Sequence, residues 1–359
     1  MDVRFLVPAN IRHHSGGNVY NASLADAMRA LGIEVEILAV EGSWPESSAK
    51  ERRRLGGLLG AWGPGAEITP AVVTIVDGLV ACGAPDELEY AAAAGQRACV
   101  LLHMPSLSHA DGERRALRAA SGVICTSSWA AEAINDRYGI SSTLVALPGT
   151  EPAPIAAGST PPHIIAVAAL LPNKDQLLTV AALAGLQDLA WTAAFVGADD
   201  ADPGYAALVR TAIASQGMDK RVRLTGQLEG QALESEWNRA DLSLLVSRAE
   251  TFGLVVAESL AHGIPVIVRG GTGAVEALGL AAARNGDAGS GVSSLPGMAV
   301  ELPGPDTSQP AMLAAVIRRW LTERELRTGW REAALAARGR LPGWDSTARS
   351  VLAYLERIR

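Results

Sequence analysis

The segment from Asp241 to Val268 leaves a folded chain few choices. Asp241 to Val246 is a short apolar run, the pattern of a strand buried on both faces of a parallel sheet. Ser247-Arg248-Ala249-Glu250-Thr251-Phe252-Gly253 follows as a tight loop. Leu254, Val255, Val256, Ala257, Leu260 and Ala261 then make a helix apolar almost all round, which belongs inside a protein. Gly263-Ile264-Pro265 leads into a second apolar strand, Val266-Ile267-Val268. Gly253 permits close backbone approach where the helix begins, and the free N–H groups of that first turn form an anion site. Glu258 sits on this apolar helix, and a buried carboxylate is costly unless something donates hydrogen bonds to it. Glu250 places a second acid in the loop, eight positions earlier. Two acids flanking a helix N-terminus suit a ligand with phosphate in the middle and hydroxyls at both ends, as in a nucleotide sugar. The alternative is that both acids are solvated or paired with Arg248 and Lys174.

The same run, continued through Gly263-Ile264-Pro265-Val266, resembles the paired-glutamate signature of retaining glycosyltransferases of family 4, whose two-domain fold is called GT-B. The resemblance implies that Glu250, Thr251, Phe252, Gly253 and Leu254 contact the donor sugar and phosphate, and that Glu258 holds the ribose hydroxyls. It extends over essentially the whole chain. Gly16-Gly17-Asn18, after the first strand, matches a glycine pair that contacts the donor phosphate in the family. Gly16 and Gly17 are thereby implied on the donor side and Asn18 on the acceptor side. His103, closing the fourth strand, matches a histidine near the reacting face of the donor sugar. Lys174 matches a lysine that meets the diphosphate. His103, Lys174 and Glu250 are thus the implied catalytic residues. Ser127 matches a family serine. One departure stands out: Ala169 occupies the place of a usual family arginine, so Lys174 works alone, or Arg12, Arg248 or Arg269 supplies the second charge, or donor turnover is weakened.

At 359 residues the chain can hold two domains, each with its own core. A net charge of -7 provides no dominant basic field, which excludes nucleic acid as the expected partner. Arg52-Arg53-Arg54, after Glu51, reads as a solvated helix face. Cys82, Cys99 and Cys125 lie in apolar surroundings without metal-like spacing and read as buried free thiols of a reducing compartment. The sequence begins directly with a strand, without a charged-then-apolar signal region, and no apolar run reaches the ~18 residues of a transmembrane helix. A cytoplasmic protein is expected.

Along the first half, strands are expected at 3–8, 34–39, 71–76, 98–102, 122–126 and 143–147, with helices at 19–31, 49–59 and 129–138. The glycine pair falls in the loop before the first helix and does not make a dinucleotide fingerprint. Asp77, ending the third strand, faces the ligand crevice of a doubly wound sheet or caps the next turn. Pro152, Pro154, Pro161 and Pro162 mark a linker. A second series follows, with strands at 164–168, 191–196, 222–225, 241–246 and 266–268 and helices running to 184, then at 205–216, 231–238, 311–321, 323–338 and 344–358. Asp287 to Pro310 reads as loop. Asp199, Asp200 and Asp202 read as capping and solvated acids rather than metal ligands.

The expectation is therefore an α/β protein of the GT-B type, with two doubly wound Rossmann-like domains facing a central cleft and a C-terminal helix crossing back. Residues 1–152, with the returning helix 344–359, form the acceptor domain, and 160–340 the nucleotide-sugar domain. The implied activity moves a hexosyl unit, with retention, from a UDP-sugar or other nucleotide-diphosphate sugar to a small hydroxylated acceptor. Neither metal nor cofactor takes part. Competing readings are a lipid or polysaccharide transferase or a sugar-nucleotide epimerase of the same fold, an idle sugar-nucleotide-binding protein, and a nicotinamide oxidoreductase with Glu41 as its ribose acid.

Overall fold

The structure, a computed structural model, describes residues 1–11, 15–62, 72–106, 108–280, 295–303 and 307–358. Two of the readings above, Arg12 as a second cation and the start of the third strand at Ala71, lie outside the described residues, as do 287–294 and 304–306 of the span read as loop. The chain divides into two compact units, Met1–Gly149 with Pro342–Arg359, and Thr150–Leu341.

The first unit is built on six parallel strands: β1 (Asp2–Pro8), β2 (Val35–Val40), β3 (Val72–Asp77), β4 (Ala98–Leu102), β5 (Gly122–Cys125) and β6 (Thr143–Val145). Their order is β2-β1-β3-β4-β5-β6, with β1 bonded to β2 on one side and β3 on the other. The chain thus reverses direction across the sheet at β1/β3. Outside the carboxyl ends of such strands, at the reversal, doubly wound sheets open a crevice. Between the strands lie α1 (Gly16–Ala30), α2 (Ala49–Leu58), α3 (Gly78–Cys82), α4 (Pro85–Ala93), α5 (Ala110–Ala119) and α6 (Ser128–Tyr138). Leu6, Val76, Val100, Leu102 and Val123 of the strands pack with Leu55, Leu88, Leu117 and Ile134 of the helices in one core. Arg53 and Arg54 of α2 are exposed, as a solvated face requires. All three cysteines are buried and free. Burial pushes the Cys99 and Cys125 thiols up to about 12, so they stay protonated at neutral pH.

The second unit repeats the scheme with β7 (His163–Val167), β8 (Thr192–Val196), β9 (Val222–Gly226), β10 (Leu242–Leu245), β11 (Val266–Arg269) and β12 (Gly297–Val300), in the order β12-β11-β10-β7-β8-β9. Here the reversal falls at β7/β10, where Ser243 pairs with Ile165. Its helices are α7 (Gln176–Ala184), α8 (Pro203–Ser215), α9 (Gly230–Arg239), α10 (Leu254–Ala261), α11 (Ala274–Leu280), α12 (Gln309–Thr322) and α13 (Arg324–Ala337). Trp191, Phe195, Leu242, Leu244, Ile267, Leu313 and Trp320 anchor the core. The last helix, α14 (Trp344–Ile358), returns to the first unit and packs on α1. The Trp344 ring meets Tyr20 edge-on at 5.2 Å, and the Tyr354 hydroxyl accepts a hydrogen bond from the Val123 amide at 3.2 Å.

Three expectations are corrected. Gly16 and Gly17 are not in the loop but form the first turn of α1, because the Ser15 hydroxyl accepts from the Asn18 amide and caps the helix there. The interval between β3 and β5 contains α3, α4 and α5. Asp77 caps the first of these, and Pro85 opens the second. A strand, β12, lies inside the span read as loop. Gly297 conceals it: a side chain there would begin 1.8 Å from the Val266 carbonyl oxygen, so only glycine lets this edge reach β11.

Candidate active site

In the second unit, the residues of interest gather at the carboxyl ends of β7, β10 and β11, around the β7/β10 reversal. After β10, Ser247 and Thr251 are buried, with hydroxyl oxygens that have no protein partner among the described residues. Phe252, the next residue, is buried as well. Gly253 takes φ 85° and serves as N-cap of α10 without a side-chain cap. No acidic residue occupies the first turn of that helix, so its leading amides, beginning at Leu254, keep their positive end open to an anion. The loop is pinned from two sides. Its Arg248 amide donates to the Asn173 carbonyl at 2.8 Å, and its Glu250 carbonyl accepts from the Gly273 amide at 2.7 Å.

Lys174 lies in a short 3-10 turn, Pro172–Lys174, just before α7. Its ammonium donates to the Glu250 carboxylate at 2.8 Å, and both side chains are partly buried. The pairing weighed from sequence therefore forms for Glu250. For Glu258 it does not. That carboxylate has no protein hydrogen-bond donor among the described residues, although the side chain is mostly covered. Burial pushes its acid above the ordinary carboxylate range; the nearby His262 pulls the other way and Glu234 adds to the rise. His262 turns its two ring nitrogens to the Glu258 carbonyl (2.8 Å) and the Glu234 carboxylate (3.3 Å), stacked on Trp237. Ala169, half-buried, supplies only its carbonyl, which accepts from Gln176 at 2.9 Å.

Sequence reasoning passed over Asp175. It is the one non-glycine residue with positive φ, 55°, among those described, and it is buried at the N-cap position of α7. Aspartate there normally caps the helix. This one does not; its carboxylate faces Arg248 at 3.1 Å and Arg269 at 2.7 Å. The available signal was a cap residue directly after a lysine in a turn.

In the first unit, the carboxyl ends of β1, β3 and β4 bring together a second group. His103 Nε2 lies 3.0 Å from Asn21 Oδ1 and 3.4 Å from Asp77 Oδ2, while Asn21 Nδ2 donates to the same Asp77 oxygen at 3.0 Å. Asp77 Oδ1 accepts from the Leu79 amide. Gly17 lies under the ring: a Cβ there would stand 3.2 Å from His103 Cδ2. Asn18, half-buried, donates to the Ile11 carbonyl. Gly16 is exposed at the helix start. Ser127 is buried and caps α6. Asn21 was missed, though a polar residue on the face of α1 that buries Tyr20, Leu24 and Met28 is an audible signal. Burial works to raise the Asp77 acid, but donors from His103, Leu79 and Asn21 outweigh it and hold the acid below its usual 3.8. A carboxylate whose pKa is depressed in the folded protein stabilises the fold above its ordinary range and loses that contribution as pH falls through the depressed value. Asp77→Asn is therefore expected to cost about 1–3 kcal/mol at neutral pH, a gap that closes in acid. Urea unfolding across a pH series measures it, and a pH-independent gap would remove the carboxylate from the account.

Asp202 caps α8, and Asp199 pairs with Arg210. Among the described residues, no group of three or more His, Cys, Asp or Glu side chains is placed to hold a metal ion. Nor, among them, is any helix long and apolar enough to cross a membrane.

Residues 161–293 match the family described as "Glycosyl transferases group 1". No curated protein matches the chain. Solved structures do, over nearly the full length. A glycosyltransferase from Rickettsia africae ESF-5 aligns with TM-score 0.73 at 16% identity, covering 99% of this chain and 98% of its own. HepE of Anabaena, solved with UDP and glucose, aligns with TM-score 0.72 at 18% identity over 99% and 100%. Sucrose-phosphate synthase from Thermosynechococcus elongatus aligns with TM-score 0.74 at 17% identity over 100% and 99%. The fold is that of these proteins: two parallel-sheet Rossmann-like lobes with the last helix packed back on the first, the GT-B architecture.

Proposed function

We propose that the chain is a cytoplasmic retaining glycosyltransferase of family 4, moving a hexosyl unit from a nucleotide-diphosphate sugar to a hydroxyl of a small soluble acceptor without a bound metal. A UDP-sugar is the preferred donor. The observation that carries the reading is the contrast between the two glutamates. Glu250, in the loop before α10, is already held by Lys174, whereas Glu258, on α10, keeps a mostly covered carboxylate without a hydrogen-bond donor among the described residues. A ribose diol supplies two hydroxyl donors to such a carboxylate, and a diphosphate bridges from there to the open amides at Gly253 and Leu254. The group-1 family match over 161–293 covers these residues and supports the same assignment.

The chemistry asked of the protein is stabilisation of a departing nucleoside diphosphate. Lys174 and the α10 amides act as fixed charge and dipoles aimed where negative charge develops. Glu250 orients Lys174 and accepts sugar hydroxyls, with Thr251 and Phe252 shaping the pocket floor. The displacement is front-face: the leaving phosphate oxygen takes the proton of the attacking hydroxyl as the new glycosidic bond forms. In the first unit, Gly16 and Gly17 leave backbone room for the donor, Asn18 faces the acceptor, and Asp77 acts through Asn21 and His103, its oxygens already engaged. His103 meets the outer sugar hydroxyls. A second reading, an idle sugar-nucleotide-binding protein, is favoured by Ala169, which brings no side-chain charge to the phosphate side.

Thermal melting with UDP, GDP, ADP and NAD at equal excess tests the donor class. A ligand at ~100 times its dissociation constant adds about 2.7 kcal/mol. UDP is expected to give the largest shift, and turnover of a UDP-hexose separates the active reading from the idle one. A shift with NAD alone would overturn both.

A further inference from the structure

We propose that Asn21 is a positioning residue: oriented by Asp77, it fixes the ring hydrogen of His103 on Nε2, so that Nδ1 meets a hydroxyl of the transferred sugar as an acceptor. The inference takes its ligand from the nucleotide-sugar reading and deepens it.

The three side chains follow or end three neighbouring strands, β1, β3 and β4, at one end of the first sheet. Asn21 and Asp77 are buried, whereas the His103 side chain is 19% exposed. An ionised carboxylate only accepts hydrogen bonds. The Asp77 acid is held below its ordinary 3.8, so it is ionised at neutral pH. The end of the Asn21 amide that lies 3.0 Å from Asp77 Oδ2 is therefore its NH2. The amide oxygen is left to face His103 Nε2, also at 3.0 Å. Exchanging the two ends of the amide would set oxygen against oxygen.

Nε2 thus faces two acceptors, Asn21 Oδ1 and, at 3.4 Å, Asp77 Oδ2. Both contacts call for a hydrogen on Nε2. A neutral imidazole carries only one, so its lone pair sits on Nδ1. Packing keeps the ring in this orientation. A Cβ on Gly17 would stand 3.2 Å from Cδ2 and 3.3 Å from Cγ, and Tyr20 meets the ring edge-on at 5.4 Å. The Tyr20 hydroxyl is spent on the Ala146 carbonyl at 2.8 Å. A half-turn about the Cβ–Cγ bond of His103 would put Cε1 where Nε2 lies and forfeit the bond to Asn21. Nδ1 has no hydrogen-bond partner among the described residues. A lone pair there needs a partner that donates. A sugar hydroxyl does so; hydrogen or fluorine in its place does not.

Two measurements on the full chain test the assignment. In protein labelled with 15N-histidine, two-bond proton–nitrogen correlations above the histidine titration range show which ring nitrogen carries the hydrogen. His103→Gln identifies the signal among the six histidines. The Nε2–H form is expected, and an Nδ1–H form would overturn the proposal. The second measurement is calorimetric titration with UDP-glucose and with analogues in which one outer hydroxyl is replaced by hydrogen or by fluorine. At one position, wild type should bind both replacements about tenfold more weakly or worse. Asn21→Leu should narrow that difference to within about twofold, with the fold checked by circular dichroism. Asn21→Ser, too short to bridge Asp77 and His103, gives the same reading where the Leu variant does not fold. A general loss of structure weakens all the sugars in proportion, so wild-type discrimination retained in these variants would overturn the proposal. So would a fluorine bound as well as the hydroxyl, since Nδ1 would then be donating. If wild type binds neither UDP nor UDP-glucose, the donor reading falls and the sugar contact with it, while the ring spectrum still decides whether Asn21 sets the His103 hydrogen.

Discussion

Glu258→Gln should melt at a higher temperature than wild type in the absence of ligand and at a lower one with saturating UDP. The first half follows from the acid's burial, which raises its folded-state value above the ordinary 4.5. A raised carboxyl holds its proton more tightly in the folded protein than in the unfolded chain. Stability is therefore greatest below 4.5, falls as pH rises from there through the folded value, and stays low above it. Glutamine escapes that penalty, so the variant gains about 1 kcal/mol at neutral pH and nothing in acid. For a unit of this size that corresponds to roughly 2–4 °C. The second half follows from the missing partner. Hydrogen bonds to a charged acceptor contribute about 1.5–3 kcal/mol each, so losing the ribose contacts should weaken UDP binding by ten- to a hundredfold or more. Differential scanning calorimetry at pH 4 and 7.5, with and without UDP, reads all four corners. A Gln variant that keeps the full UDP shift would take Glu258 out of the donor site.

That crossing also explains why the paired-glutamate run is legible in sequence. A carboxylate on a helix that is otherwise almost wholly apolar stands out in the sequence, because its burial is costly unless something donates hydrogen bonds to it. The strand–helix alternation is visible for a similar reason: short Val- and Leu-rich runs ending in glycine or a polar residue have few other uses. What escapes notice depends on partners distant in sequence. Asn21 matters because His103 and Asp77 meet it across β1, β3 and β4. Asp175 stands out only once Arg248, in the loop after β10, and Arg269, at the end of β11, are seen to converge on it. Glycines hide structure in two opposite ways. Gly16 and Gly17 look like a loop, yet Ser15 caps them into a helix; Gly297 looks like a breaker, yet it admits an edge strand. In each case a local propensity yields to a contact that the local window does not contain.

Gly273→Ala is expected to be the most damaging single methyl in the second unit. A Cβ at this position would fall 1.6 Å from the Thr251 carbonyl oxygen and 3.0 Å from that of Glu250. Both obstacles are backbone, so no side-chain rotation relieves them. Either the turn at 270–273 or the loop carrying Glu250 and Thr251 must move, and the Gly273–Glu250 hydrogen bond of 2.7 Å is strained with it. Overpacking of this kind costs about 1–3 kcal/mol, and more when backbone shifts. Gly279→Ala is the matched control. It adds the same methyl at an exposed position of α11, with nothing among the described residues within 4 Å, and should leave stability unchanged or raise it by up to ~1 kcal/mol. The functional loss should exceed the stability loss. Glu250 orients Lys174 through a 2.8 Å bond, and a displacement of about 1 Å in a positioning group can cost 100-fold in rate. Measured below the melting transition, Gly273→Ala should therefore retain secondary structure while turnover of a UDP-hexose falls about two orders of magnitude, with Gly279→Ala at the wild-type rate. If turnover instead falls only in proportion to the folded fraction, the loop does not set the reacting geometry, and the Gly273 contact is purely a packing constraint.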